Sequence, residues 1–107
     1  MKYSEWNSFK VLWLARLDVE KGKAAASMVE KMARENPKDG LAQTWASRAN
    51  YYIGQYYTST DEHDKGMPYY KQGIAYGTLA RKLLPYSYRQ TTGTCSINHA
   101  QSSLQAY

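Results

Sequence analysis

The stretch Asp39-Gly40-Leu41-Ala42-Gln43-Thr44-Trp45-Ala46-Ser47-Arg48-Ala49-Asn50-Tyr51-Tyr52-Ile53-Gly54-Gln55-Tyr56-Tyr57 decides how this chain folds. Leu41, Trp45, Ala49, Tyr52 and Tyr56 recur every three or four residues, which places them on one apolar face of a helix. Ala42, Ala46 and Ile53 form an adjoining stripe of mostly small side chains, where a neighbouring helix can approach closely. Asp39 stands where an N-cap is needed, because its carboxylate can accept the first free backbone N–H groups. The spacing predicts a helix over 40–57.

Outward from this segment the same periodicity repeats. Trp6, Phe9, Trp13 and Leu17 lie three, four and four residues apart, widened by Leu12, Leu14 and Ala15. They predict a first helix capped by Ser4 and ended at Gly22. A second helix is expected over 24–35, with Ala25, Met28, Val29, Met32 and Ala33 inward, stopped at Asn36-Pro37. After the third helix, 58–66 is polar, acidic and aperiodic, and reads as a loop. Pro68 then fits the first turn of a fourth helix. Its buried side comes from Tyr69, Gly73 or Ile74, Tyr76 or Gly77, Ala80 and Leu83 or Leu84, and Pro85 closes it. Beyond Pro85 only Ser96, Ile97, Ala100 and Leu104 suggest a short last helix.

No segment alternates as a half-buried strand does. The expectation is an all-α protein, with two antiparallel helical hairpins over 1–85 and a tail or capping helix over 86–107.

Composition bounds the function. The chain has 107 residues, enough for one domain with a modest core. Its single cysteine, Cys95, excludes an intrachain disulfide framework and a Cys-rich zinc module. No apolar run approaches the length of about 20 residues that spans a bilayer. Met1 leads directly into an amphipathic pattern without a signal-peptide core, so a cytoplasmic location is expected unless a targeting segment has been removed, in which case a periplasmic one is.

The net charge of +5 is unevenly spread: from Tyr69 onward there are four bases, Lys71, Arg81, Lys82 and Arg89, and no acid. Four charges do not make the dense stripe of a nucleic-acid footprint, and a mildly basic surface is the simpler reading. Eleven of the aromatics are tyrosine, ten of them past residue 50, so tryptophan and phenylalanine build the first hairpin and tyrosine the second.

Two helix-turn-helix units each ending in proline raise the question of a repeat. Trp45, Ala49 and Tyr52 match positions of the first tetratricopeptide helix, with Arg48 where leucine is usual. Gly73, Ala80 and Pro85 match the second, although the loop between the two helices reads about a dozen residues longer than a standard repeat allows. The segment Trp45 to Gly54, with Tyr51-Tyr52-Ile53-Gly54 at its end, is followed by Tyr69-Tyr70-Lys71-Gln72-Gly73-Ile74-Ala75-Tyr76-Gly77 and Leu84-Pro85. Over roughly 36–85 the chain thereby resembles the tetratricopeptide-like T component family of TRAP-type transporters. The resemblance implies a helical-repeat fold with right-handed α–α packing, and a role as a small-ligand-binding accessory of solute transport.

Candidate chemistry is sparse. Asp61-Glu62-His63-Asp64 offers oxygen and nitrogen donors, but four consecutive residues cannot converge on one ion and no further ligand is spaced to help. Cys95 and His99 are four apart, with no oxyanion donor or orienting group announced nearby. Neither a catalytic, a cofactor nor a metal site is expected.

The remaining signal is aromatic and basic: Trp6, Phe9, Trp13, Arg48, Tyr51, Tyr56, Tyr69, Lys71 and Arg81 form the candidate interaction surface. A non-enzymatic module that binds a protein or peptide partner is the expected function. Two hairpins bury little, so self-association to a homo-oligomer is a further expectation. The alternatives are the transport accessory implied by the resemblance and a weak nucleic-acid-binding module using the acid-free C-terminal third.

Overall fold

The computed structural model describes residues 3–84. It holds four helices in chain order, α1 (Tyr3–Leu14), α2 (Val19–Glu35), α3 (Gly40–Ser59) and α4 (His63–Leu83), and no strand among the described residues. The chain is all-α, as expected. The tail and its suggested short helix lie outside the described residues.

The first boundary differs from the sequence reading. α1 already includes Ser4 and ends at Leu14, and α2 begins at Val19. The reason is Asp18: its side chain accepts from the Glu20 N–H at 3.0 Å and caps α2. Arg16 satisfies the end of α1, donating from Nη1 to the Trp13 carbonyl at 2.9 Å. Gly22 therefore terminates nothing. It is buried in the second turn of α2, where an added Cβ would stand 3.2 Å from Ile53 Cδ1 and 3.3 Å from the Arg16 carbonyl oxygen. Leu17, placed by periodicity on the apolar face, falls in the turn and is 94% exposed.

The second and third boundaries follow the sequence. Asn36 closes α2 through its backbone N–H and its side-chain amide, both donating to the Met32 carbonyl. Asp39 caps α3, accepting from Leu41 and Ala42. Between these caps, Gln43 is fully buried and donates to the carbonyls of Ala33 and Asn36, which fastens α3 to the end of α2.

The core lies on the stripe of α3 that the sequence offers as secondary. Ala42, Ala46, Ala49, Ile53 and Tyr57 pack with Ala25, Ala26, Val29, Met32 and Ala33 of α2 and with Phe9 of α1. Of the larger stripe only Ala49 is buried; Leu41 is exposed, and Trp45, Tyr52 and Tyr56 are half-buried. Helix α3 has three neighbours, so most of its circumference is covered, and small residues give way to each of them.

On its other side α3 meets α4 through glycines. A Cβ on Gly66 would lie 2.9 Å from the Gly54 carbonyl oxygen, and one on Gly54 would lie 3.0 Å from the Tyr70 ring. Ser47 Oγ donates to the Gly73 carbonyl at 2.7 Å, a buried bond between helices. The long loop expected over 58–66 is only three residues, 60–62. Asp61 takes φ 61° there, in the left-handed region that Asp tolerates better than most residues. The extra length relative to a standard repeat is thus helix, not loop. Pro68 consequently sits in the second turn of α4 and not the first. It leaves the Asp64 carbonyl without an intrahelical partner, at a place where both residues are exposed to water.

Candidate functional site

Helix α1 packs on α2 and reaches α3 through its rings. Phe9 is 3% exposed and touches Trp6 edge-on at 6.0 Å between centroids, Trp13 in a stacked pair at 6.1 Å, and Trp45 edge-on at 5.7 Å. Trp13 also meets Trp45 at 5.8 Å and Tyr52 at 5.6 Å, both edge-on. Edge-to-face contact is the favoured arrangement for such pairs.

The rings floor a groove of about 400 Å³, lined by Trp6, Asn7, Phe9, Lys10, Trp13, Leu14 and Trp45. All three tryptophans of the chain are in it, though they come from two helices. Leu14 on its rim is 67% exposed.

Two guanidinium groups frame the floor. Arg16 lies 4.3 Å above the Trp13 ring and 5.3 Å from that of Tyr52, whose hydroxyl donates to the Arg16 carbonyl at 3.3 Å. Arg48 lies 5.1 Å over Trp45. A cation above a ring face gains about 0.5–2 kcal/mol from the ring quadrupole. No carboxylate is among the residues lining the groove.

Of the nine candidate surface residues, four meet here: Trp6, Phe9 and Trp13 in the groove and Arg48 at its edge. Tyr51, Tyr56 and Tyr69 belong to a second aromatic set between α3 and α4. Tyr51 packs on Tyr70 at 5.7 Å, while Tyr57 joins Tyr56 at 5.3 Å and Tyr69 at 5.8 Å. Lys23 of α2 reaches over the Tyr57 ring at 5.1 Å. Lys71 and Arg81 are exposed on α4 and do not line the groove.

Sequence reasoning missed Lys10, Arg16, Leu14 and Trp45 as site residues. Trp45 was legible as apolar but was assigned to the core. Arg16 carried a faint signal, since it sits three residues after Trp13.

The acidic segment does not build a metal centre. His63 Nε2 pairs with Asp61 Oδ1 at 3.1 Å, and Glu62 is taken by Lys65 and Thr60. Among the described residues no group of three or more His, Cys, Asp or Glu could hold a metal ion. No helix among them is long and apolar enough to cross a membrane. Cys95 and His99 lie outside the described residues.

No protein-family model, curated protein or solved structure matches this chain significantly. The functional reading accordingly stands on the geometry of the groove.

Proposed function

We propose that this chain is a non-enzymatic protein-interaction module of the tetratricopeptide-like kind, which docks a segment of a partner protein in the groove between α1 and α3. The observation that carries the reading is the convergence of Trp6, Trp13 and Trp45 on one half-exposed groove. Tryptophan and arginine dominate the binding energy of protein interfaces, and here they are pre-positioned by mutual packing. Leu14 on the groove rim is exposed, as are Val11 of the same helix and Leu17 of the turn after it. An exposed apolar residue on the rim of an aromatic groove extends the surface a partner can bury.

Two successive antiparallel hairpins support the repeat-like reading. The rings of the first and third helices meet across the second, and the concave face of a repeat array is likewise built by its first helices. The resemblance of 36–85 to the T component of TRAP-type transporters fits the same arrangement, and a partner of transport machinery is one setting for it.

The test is an array of amphipathic peptides probed with the wild-type chain and with Leu14→Asn. Leu14 is exposed, so its replacement leaves the fold intact. The reading expects a subset of peptides to bind the wild type and to lose about tenfold in affinity with the variant. Binding that is absent in the wild type, or indifferent to Leu14, would overturn it.

A further inference from the structure

We infer that the segment 96–107 of this chain is the resting occupant of the α1–α3 groove, so that a partner docks only by displacing it; the displacement rests on the docking reading above. Among the described residues the exposed large apolar side chains are Val11, Leu14, Leu17 and Leu41, and none of them belongs to α4. The exposed residues of α4 include Lys71, Gln72, Thr78, Arg81 and Lys82, so its outer face is chiefly polar. An apolar segment that follows α4 therefore finds its seat elsewhere on the fold.

The end of α4 brings the chain to the mouth of the groove. Leu84 takes φ −102° and ψ 150°, so the backbone leaves the helix extended. Its side chain stands against the first residue of α3, where a Cβ on Gly40 would lie 2.6 Å from Leu84 Cδ2. Trp45 follows Gly40 by about 7.5 Å of axial rise, and the exposed Leu41 lies one turn before Trp45 on the same stripe. The far end of the ring cluster, where Trp13 meets Tyr52, is about 18 Å along α3 from Gly40. Residues 85–95 span up to about 36 Å when extended, so the tether does not limit the reach.

The chemistry of the segment matches the groove. Ile97, Ala100 and Leu104 are three and four residues apart, which places them on one face of a helix. Anchors at such spacing are how an amphipathic helix fills an apolar groove. Twelve residues of helix measure about 18 Å, enough to cover the stretch of about 12 Å from Trp6 to Leu14 along α1. The segment contains no Asp, Glu, Lys or Arg. Lys10 is the one charged residue lining the groove and is itself exposed, so seating an uncharged segment strands no charge.

Tethering favours this occupant over a second copy. A segment on a short flexible linker is presented at an effective concentration of about 1 mM, a thousandfold above a free chain at about 1 μM. With an intrinsic Kd of about 100 μM it fills the groove about nine-tenths of the time and weakens a partner's apparent affinity about tenfold.

Cys95 is the chain's single cysteine and directly precedes the segment. A nitroxide attached to it in the full chain reports where the segment sits, because every tryptophan is in the groove. In the wild type the label broadens the indole N–H signals of Trp6, Trp13 and Trp45 more than the amide signals of Lys71 and Gln72 on α4. Leu104→Asp removes the excess, whereas Ser102→Asp, off the apolar stripe, retains it. Peptides selected by the array bind Leu104→Asp about tenfold more tightly than the wild type.

Indole signals that broaden no more than those of Lys71 and Gln72, or an excess that survives Leu104→Asp, overturn the inference and leave the docking reading in place. Broadening that arises when the nitroxide is on a separate chain overturns it in favour of a second copy. Equal peptide affinity of the wild type and Leu104→Asp overturns the displacement. Broadening that Leu104→Asp removes, with no peptide bound by either form, keeps the segment in the groove and overturns the docking reading.

Discussion

Phe9→Ala tests whether the groove depends on the packing beneath it. Phe9 is 3% exposed and joins three tryptophan rings from α1 and α3. Truncating a phenylalanine buried to this degree costs about 3–5 kcal/mol, of which the lost transfer free energy is roughly half and the unfilled cavity the rest. That is comparable with the whole stability of a small domain, about 5 kcal/mol at the low end.

The loss should be local first. α1 is held on α2 and α3 by apolar and ring contacts, and the turn after it by one hydroxyl bond from Tyr52, whereas α2, α3 and α4 are joined by hydrogen bonds from Gln43, Asn50 and Ser47. Phe9→Ala should therefore release α1 before the other helices unfold. Far-UV circular dichroism then falls by about one sixth, the share of the 12 residues of α1 among helices of 12, 17, 20 and 21. Tryptophan emission shifts to the red as all three rings lose their partners. Phe9→Leu, which keeps most of the volume, should retain native emission at a cost of about 1–1.5 kcal/mol. Native emission and a loss under about 1 kcal/mol in Phe9→Ala would refute the role given to this ring. Loss of all helix in one step would refute the local release.

Gly66→Ala should destabilise by about 1 kcal/mol, because overpacking of about 1–3 kcal/mol exceeds the helix-propensity gain of about 1 kcal/mol. Its methyl meets the backbone carbonyl of Gly54 at 2.9 Å, which cannot step aside. Gly40→Ala should cost less although its contacts are shorter, 2.6 Å to Leu84 Cδ2 and 2.7 Å to Leu84 Cγ, since they belong to one half-buried side chain past the end of α4 that can rotate away. Thermal melts of the two variants order them, and a larger drop for Gly40→Ala contradicts the reasoning. The Glu62 carboxyl should titrate below its ordinary value of 4.5, held down first by its bond from Lys65 and then by that from Thr60. A depressed carboxylate adds stability above its unfolded pKa and loses it as pH falls through the folded one, so the short turn between α3 and α4 loosens in acid. A carbon-detected NMR titration with a Glu62 midpoint at or above 4.5 would contradict this.

The legible parts of the fold are those governed by local chemistry. Asn36-Pro37 and Asp39 stop α2 and start α3 through side-chain bonds that need no distant partner. Gly22 and Asp18 show the opposite case. Either could mark the boundary between the first two helices, and the choice depended on Gly22 being needed for the approach of Ile53 from α3. The acidic residues from Asp61 to Asp64 look like loop by polarity, yet only the first two remain outside a helix, because the close glycine contacts of α4 with α3 draw the helix back to His63.

Local residue chemistry accounts for four amphipathic helices, the caps at Asp39 and Asn36, and the confinement of tryptophan and phenylalanine largely to the first hairpin. Which stripe of α3 is core depends on the packing of the other helices around it. Periodicity gives the angle between two stripes but not the number of neighbours that will cover them. With α1, α2 and α4 all packed on it, α3 buries its small residues where approach is closest and leaves Trp45 and Tyr52 half-covered at the side, where they meet α1. The groove is the consequence of that choice: large rings held at the edge of a core built from alanine and glycine.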